Sequence, residues 1–311
     1  MSVVIATYTE RRWDELVLAV DSVLRQEPPA DEILVIVDYN DALLDRVRAE
    51  LDVRTMGNRH EKGLNGVRNT AIQAAQGDLI IYMDDDAQAQ PGWLAGMVAL
   101  LDMPKASGGG GKALPDWEVK RPRWFPDEML WMVGAWYKGH PDTLTEVRNV
   151  FGCSCIFRKD ALQQVGGFRT DLGRTASSLP ISCEDTELCI RLRREVGPIY
   201  FAPEAVVHHK VHAFRTKPGY VVKRAYAEGL SKAMVAAYVG QDSALETERA
   251  YVSRTLPRGV LRGIGDAFRG DLAGLGRAAT IIVGLAVTGV GYAVGRVLYR
   301  KPKARVSPGT D

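Results

Sequence analysis

The chain opens with an apolar run, "SVVIAT", that breaks off into the polar "YTERR". That is the pattern of a buried strand feeding a loop. From Trp13 to Leu24 the residues Trp13, Leu16, Val17, Val20, Val23 and Leu24 recur at helical spacing, so a helix follows. "EILVIV" predicts a second buried strand with Asp38 at its end, "LNGVRNTAIQAAQ" a helix closed by Gly77, and "DLIIYM" a third strand. Strand, helix, strand, helix, strand over the first ninety residues predicts a parallel α/β sheet, whose ligands collect at the carboxyl ends of the strands. Asp38 and the run Asp84, Asp85, Asp86 fall at such ends.

Further along, Pro91 suits the first position of a helix through "GWLAGMVALLDM", and "SGGGGKALP" predicts a flexible loop. Residues 117–137 hold four of the six tryptophans, which suit either a core or a half-wet lip where a sugar stacks or lipid is met. "NVFGCSCIFRKDAL" predicts a strand and the start of a helix, and "SCEDTELCIRLRR" a helix whose acidic first turn complements its dipole. "IYFAPEAVVHHKVH" predicts a strand carrying His208, His209 and His212. Neighbours on a strand point to opposite faces, so only one of His208 and His209 can face a site. Beyond about Gly219 the pattern is helical, and residues 278–295 carry no charge.

At 311 residues, 46% hydrophobic and 25% charged, the chain has length for a real core and is not a disordered one. Its net charge of +2 is unevenly divided. From Arg258 onward nine Lys/Arg face three Asp/Glu, a net of +6 that leaves −4 on residues 1–257. A basic tail on an acidic body suggests an anionic partner, membrane surface or nucleic acid. Strand-like residues begin at Ser2, leaving no room for a signal peptide, so the cysteines Cys153, Cys155, Cys183 and Cys189 are expected reduced. Their spacing is not that of a zinc site.

Three adjacent carboxylates need compensation. Two unit charges 4 Å apart repel by about 4 kcal/mol at an effective dielectric near 20. Mg2+ or Mn2+, which favour hard oxygen ligands, would relieve that; the bland alternative is a solvated acidic turn. Asp38 could likewise be no more than a helix cap. Glu184 and Asp185 could be dipole-stabilised acids or include a general base.

Taken in order, "VVIATYTER", Asp38, "GVRNTAI", the three aspartates, "FGCSCIFRKDALQQVGGF", "CEDTEL" and "APEAVVHH" resemble the inverting glycosyltransferases of family 2, with the GT-A fold, over roughly residues 2–215. "RAYAEGLSKA" looks like members that build lipid-linked or surface glycans. The resemblance implies that Asp86 holds the metal, that Asp84 reaches the donor ribose or sugar and joins the metal site, and that Asp85 lies on the nucleotide-sugar. It gives Asp38 a hydrogen bond to the nucleotide base, in a pocket completed by Thr7, Tyr8 and Glu10. It sets Arg68 near the diphosphate or the acidic cluster, and Arg215 with Lys217 over the leaving diphosphate. It makes Asp185 the general base with Glu184 beside it. It supplies a metal-ligand histidine, for which the spacing from Pro203 favours His209 over His208. Displacement at a sugar carbon in an inverting mechanism needs no enzyme nucleophile, so the cysteines have no catalytic part.

The expected division is a nucleotide-sugar-binding half (1–100), an acceptor-binding and catalytic half (101–218) and a helical region (219–311) with a membrane-associating segment at 278–299. Eighteen uncharged residues make a helix of about 27 Å against a hydrocarbon core of roughly 30 Å, so spanning is marginal. Arg258, Arg262, Arg269, Arg277, Arg296 and Arg300 flank the stretch and suit anionic headgroups, while Gly291 and Gly295 in "GYAVG" suit close helix packing. The expected activity is metal-dependent (Mn2+ or Mg2+) transfer from a nucleotide-diphosphate sugar, a UDP-sugar favoured, to a glycan or lipid-linked saccharide. The expected place is the cytoplasmic face of the membrane, with no nucleic-acid partner. A nucleotidyltransferase would carry a glycine-rich phosphate loop after the first strand, where the chain reads "TYTERR". A silent carbohydrate-binding protein would have no turnover to lose.

Overall fold

The computed structural model describes residues 1–172, 179, 181–244 and 247–299, the side chains of 242 and 243 excepted. The tail arginine Arg300 lies outside the described residues. In chain order the elements are β1 (Ser2–Thr7), α1 (Trp13–Leu24), β2 (Glu32–Val37), α2 (Asp41–Glu50), β3 (Arg54–Gly57), α3 (Leu64–Ala74), β4 (Leu79–Asp84), β5 (Ala87–Ala89) and α4 (Trp93–Ala99). There follow β6 (Gly108–Trp117), a 3-10 stretch (Asp127–Val133), β7 (Thr145–Val147), β8 (Ser154–Arg158), α5 (Lys159–Gln164), α6 (Glu184–Glu195) and β9 (Ile199–Val211). The tail is α7 (Pro218–Val239), the short α8 (Gln241–Ala244) and α9 (Glu248–Ala250), then α10 (Leu256–Phe268) and α11 (Ala273–Leu298).

One nine-stranded sheet runs in the order β3-β2-β1-β4-β8-β6-β9-β5, with β7 pairing the start of β9. The first four neighbours are parallel, as the alternating pattern requires, and β8 enters antiparallel to β4. Val3 and Ile5 face one buried cluster and Val4 the other. A strand covered on both sides reads as a continuous apolar run, not an alternating one.

Several expectations change. Between Asp38 and Leu64 the chain adds α2, N-capped by Asn40, and the edge strand β3, so one more helix and strand precede the aspartates. Helix α3 ends at Ala74 and Gly77 is not its cap; a Cβ there would lie 2.7 Å from the backbone of Met1. The helix after Pro91 starts at Trp93, behind a left-handed Gly92.

The largest correction is the glycine run. Gly108 to Gly111 do not form a loop; they are the buried start of β6, paired to β8 on one side and β9 on the other. Side chains are missing there because there is no room for them. A Cβ on Gly109 would lie 2.7 Å from the Tyr200 carbonyl, and one on Gly110 would lie 2.5 Å from Val150 Cβ. Overpacking a tight core costs about 1–3 kcal/mol. Gly110→Ala is therefore expected to lower unfolding stability by about that amount, read as a lower urea midpoint at unchanged slope; an unchanged midpoint would show the strand can give way.

Candidate active site

The site grows from register. β4 pairs with β1 so that Ala6 lies opposite Asp84, which brings Thr7 level with Asp85. The Thr7 hydroxyl donates to Asp85 Oδ2 at 2.8 Å, and Arg12 donates to Asp85 Oδ1 at 2.9 Å. After Asp86 the chain enters β5, which runs antiparallel to β9 with Ala87 opposite His209. The Lys210 N–H donates to the Asp86 carbonyl at 2.8 Å. These ladders set His209 Nε2 3.3 Å from Asp86 Oδ1. His208, one residue earlier, points to the other side and meets Gln90. Of the two histidines, His209 is the one that faces Asp86.

Asp86 is only 5% exposed, and Arg12 at 3.2 Å, the His212 ring at 3.5 Å and Arg215 at 3.9 Å surround its Oδ2. Burial alone would raise its carboxyl; His209, His212 and Arg12 overrule that and hold it well below the usual range. Asp85 differs, since burial and the neighbouring Asp86 outweigh Arg12 and push it up to about 6. Asp85 and Asp86 thus draw much of their compensation from the chain itself, with Arg12 shared between them.

A metal position nonetheless remains. Neither oxygen of Asp86 has a hydrogen-bond partner, and one ligand atom each from Asp84, Asp86 and His209 lie within 4.8 Å of one another. His209 Nδ1 lies 3.1 Å from the Gly134 carbonyl. Donation of the Nδ1 proton there leaves Nε2 free to ligate, the arrangement that outer hydrogen bonds impose on metal-binding histidines. Gly134 has φ +79°, and a Cβ on it would strike the His209 ring. Two carboxylates and one imidazole fit Mn2+ or Mg2+.

A cavity of about 750 Å³ runs from Asp84 and His209 past Arg68, Glu184 and Asp185 to the tail helices. Cys183, at φ +84°, turns the chain sharply into α6 and carries Glu184 and Asp185 to the cavity wall. Backbone N–H groups of Gly152 and Thr186 donate to the two Asp185 oxygens at 3.0 and 2.7 Å. Burial and the adjacent Glu184 push the Asp185 carboxyl up to about 6 against the pull of Arg68, near the range that suits a general base. Arg68, 3% exposed, lies 3.8 Å from Glu184 and donates to the Gly152 carbonyl. Burial holds the thiols of Cys153 and Cys155 far above their ordinary value, and both are free.

Other expected residues lie apart from the cavity. Asp38 accepts from Asn58 Nδ2 at 2.8 Å and from the Gly63 N–H at 2.9 Å, so it anchors the loop before α3 rather than capping a helix. Tyr8 and Glu10 are exposed beyond the end of β1, and Lys217 is exposed as well. Arg12, His212, Gly134 and Gly152 carry no site role in the sequence pattern. Arg12 sits in a polar turn, and the other three matter only once distant strands are paired.

Asp86→Asn or His209→Ala is expected to weaken Mn2+ binding by at least about 100-fold, beyond the 10–100-fold of outer-shell losses. Mn2+ titration followed by electron paramagnetic resonance would read this, and unchanged affinity would place the metal elsewhere.

The glycosyl transferase family 2 model matches residues 2–166. Over 302 residues the chain is 30% identical to the glucosyl-dolichyl phosphate glucuronosyltransferase of Haloferax volcanii, covering 95% of this chain and 96% of that one. It is 26% identical to the succinoglycan biosynthesis protein ExoM of Rhizobium meliloti, over 65% and 64% of the two chains. Among solved structures, the mannosyltransferase PcManGT of Pyrobaculum calidifontis, in complex with GDP-Man and Mn2+, matches with TM-score 0.53 and 19% identity, covering 93% of this chain and 86% of that one. GalNAc-T7 with UDP, GalNAc and Mn2+ matches with TM-score 0.53 and 13% identity, over 82% and 56%. The likeness in structure supports the GT-A fold for the mixed sheet, and the likeness in sequence runs the length of the chain. The chain belongs to glycosyltransferase family 2.

Proposed function

We propose that the protein transfers a sugar, with inversion, from a UDP-sugar to a hydroxyl of a saccharide carried on a polyprenyl-type phosphate lipid. The observation that carries this is the single cavity with the Asp84–Asp86–His209 cluster at one end and Asp185 on its wall. The phosphate-lipid acceptor follows the activity named for the Haloferax relative, which aligns along nearly the whole chain.

Asp84, Asp86 and His209 would hold Mn2+ or Mg2+. A bound ion supplies Lewis-acid charge to neutralise a diphosphate. The rest is done by the chain. Arg215 and Arg12, already beside Asp86, add positive charge where the leaving group's negative charge grows. Asp38, with Tyr8 and Glu10 on the rim near it, receives the base and ribose. Thr7 and Asp85 bond to each other and keep Arg12 aimed. Asp185 takes the proton from the acceptor hydroxyl as its oxygen bonds to the anomeric carbon. The bond from that carbon to the diphosphate oxygen breaks, and the diphosphate leaves with the electron pair. Glu184, with one oxygen unpartnered, orients the acceptor.

The tail supports a position for this chemistry beside a membrane. α11 is long and apolar enough to cross one and is mostly exposed. Phe268 (89%), Leu272 (73%) and Leu261 (69%) form an apolar surface at its junction with α10. The arginines do less than their number suggests. Arg262 pairs with Glu128, and Arg277 with Asp266 and Asp271, leaving Arg258, Arg296 and Arg269 (4.0 Å from Asp266) exposed for headgroups. We place the site at the inner face of the cell membrane, where four reduced cysteines and a nucleotide-sugar supply suit it.

With Mn2+ present, transfer to a phosphate-linked saccharide is expected from a UDP-sugar and not from GDP- or CDP-sugars. Asp185→Asn should cut turnover by about 10²–10⁴, the usual worth of a general base, with little change in donor KM. Because the base works deprotonated, wild-type rate should rise with pH through about 6 and level off above. Full turnover in Asp185→Asn would sink the base assignment, and a GDP- or CDP-sugar preference would redirect the donor. In vesicle flotation, a Phe268→Asp, Leu272→Asp double variant should lose membrane association, whereas retention would leave the apolar surface without that role.

A further inference from the structure

The far end of the cavity is built of charge that the transfer chemistry does not use. Where it reaches α7 and α11 it is lined by Arg148, Arg224, Glu228, Lys232, Glu248 and Tyr292. Five of these form one chain of ion pairs. Arg224 meets Glu228 at 2.9 Å, Lys232 meets Glu228 at 3.1 Å and Glu248 at 2.5 Å, and Arg148 meets Glu248 at 2.6 Å. Burial works against every one of these charges, yet the partners keep them ionised. Lys232 is held above its ordinary value by Glu228 and Glu248, and Glu248 is held at about 2 by Lys232 and Arg148. Among the described residues three cations therefore face two anions, and no side chain of the group is more than 20% exposed.

A surplus positive charge in such a place is costly unless something answers it. One donor there lacks an acceptor, and a second is held only by an ion pair. Arg224 Nη1 lies in ion-pair range of Glu228 but makes no aligned hydrogen bond, and its Nη2 is spent on Ser182 Oγ at 2.9 Å. The Tyr292 hydroxyl, on the otherwise apolar α11, is buried and has no hydrogen-bond partner. An excess of one positive charge beside an unpaired O–H donor is the complement of a phosphate. Around it the wall turns apolar, with Met129, Leu256, Leu285 and the Trp131 ring, which lies 5.5 Å from the Arg224 guanidinium. Phosphate chemistry beside apolar side chains, on the helix that faces lipid, fits a prenyl phosphate better than a free anion.

We infer that the α7–α11 end of the cavity holds the phosphate of the lipid-linked acceptor, with Arg224 and Lys232 as counter-charge and Tyr292 as hydrogen-bond donor. The inference rests on the lipid-linked acceptor proposed above and assigns it a place. The saccharide then lies along the cavity toward Asp185, and the prenyl chain leaves beside α11.

The test is direct binding to the full chain in detergent, with tryptophan fluorescence as readout, using citronellyl phosphate, citronellol and inorganic phosphate as probes. Wild type is expected to bind citronellyl phosphate and not citronellol. Arg224→Gln and, separately, Tyr292→Phe should each weaken that binding about tenfold, the worth of a hydrogen bond to a charged group. Mn2+ binding at Asp84, Asp86 and His209 should persist in both variants and reports that they are folded. Tyr292→Phe removes one oxygen and little else, so it stands even if the arginine variant unfolds. Equal binding of citronellol, or unchanged affinity in folded variants, overturns the phosphate site. Inorganic phosphate competing at the same concentration as citronellyl phosphate overturns its assignment to a lipid. Citronellyl phosphate binding in a wild-type chain that takes up no Mn2+ would instead keep this site and overturn the metal-dependent reading.

Discussion

The structure is organised around three consecutive carboxylates at the end of one strand, two of them buried and the third half-buried. Each is answered differently. Asp85 turns inward to Thr7 and Arg12. Asp86 stands within 4 Å of Arg12, His209, His212 and Arg215 without a hydrogen bond to any of them. Asp84 lines the cavity. Two carboxylates and the His209 imidazole converge there, a set consistent with a divalent metal. The strand ladders, the 3-10 stretch and β9 hold that cluster together.

Much of this was legible in sequence. The apolar runs of β1, β2 and β4, the acidic start of α6 and the histidine pair of β9 stand out because their signals are local: continuous hydrophobicity, an acidic first turn, alternation along a strand. What stayed hidden depends on contacts between distant segments. "GGGG" reads as a loop from its own conformational freedom, whereas its composition answers to Phe157, Leu100, Val150 and the Ala205 carbonyl packed against it. The edge pair α2 and β3 carries few apolar residues, since only Leu43 and Val47 of α2 are buried. Arg12 looks like any loop arginine until the β1–β4 register is known, and Gly134 acquires meaning only beside the His209 ring. That Cys183 adopts a left-handed backbone has no sequence signature.

The tail shows the same division. Its apolar character and the Gly291–Gly295 spacing were readable, and those glycines do permit close packing, but within one chain. Gly291 meets Tyr226 and Gly229 of α7, Gly295 meets Leu230 and Ala233, and the contacts rise together, so α7 and α11 run in the same direction. α10 returns antiparallel against α11 through Gly263 and Gly274. Counting arginines overstated their freedom, because Asp266, Asp271 and Glu128 were available to pair with them.

The 3-10 stretch before Gly134 connects these two halves. Arg262 of α10 pairs with Glu128, the Tyr251 hydroxyl donates to the Glu128 carbonyl, and Trp131 donates to Tyr251. Gly284 of α11 closes against Met129 and Met132. The residue that fixes the tautomer of His209 is thus carried on a segment clamped by the tail. Trimming these helices would therefore loosen the segment that seats the His209 ring. A lineage that no longer needed the tail for any other purpose would still have to keep it as part of the frame of the cavity, so the two are inherited together.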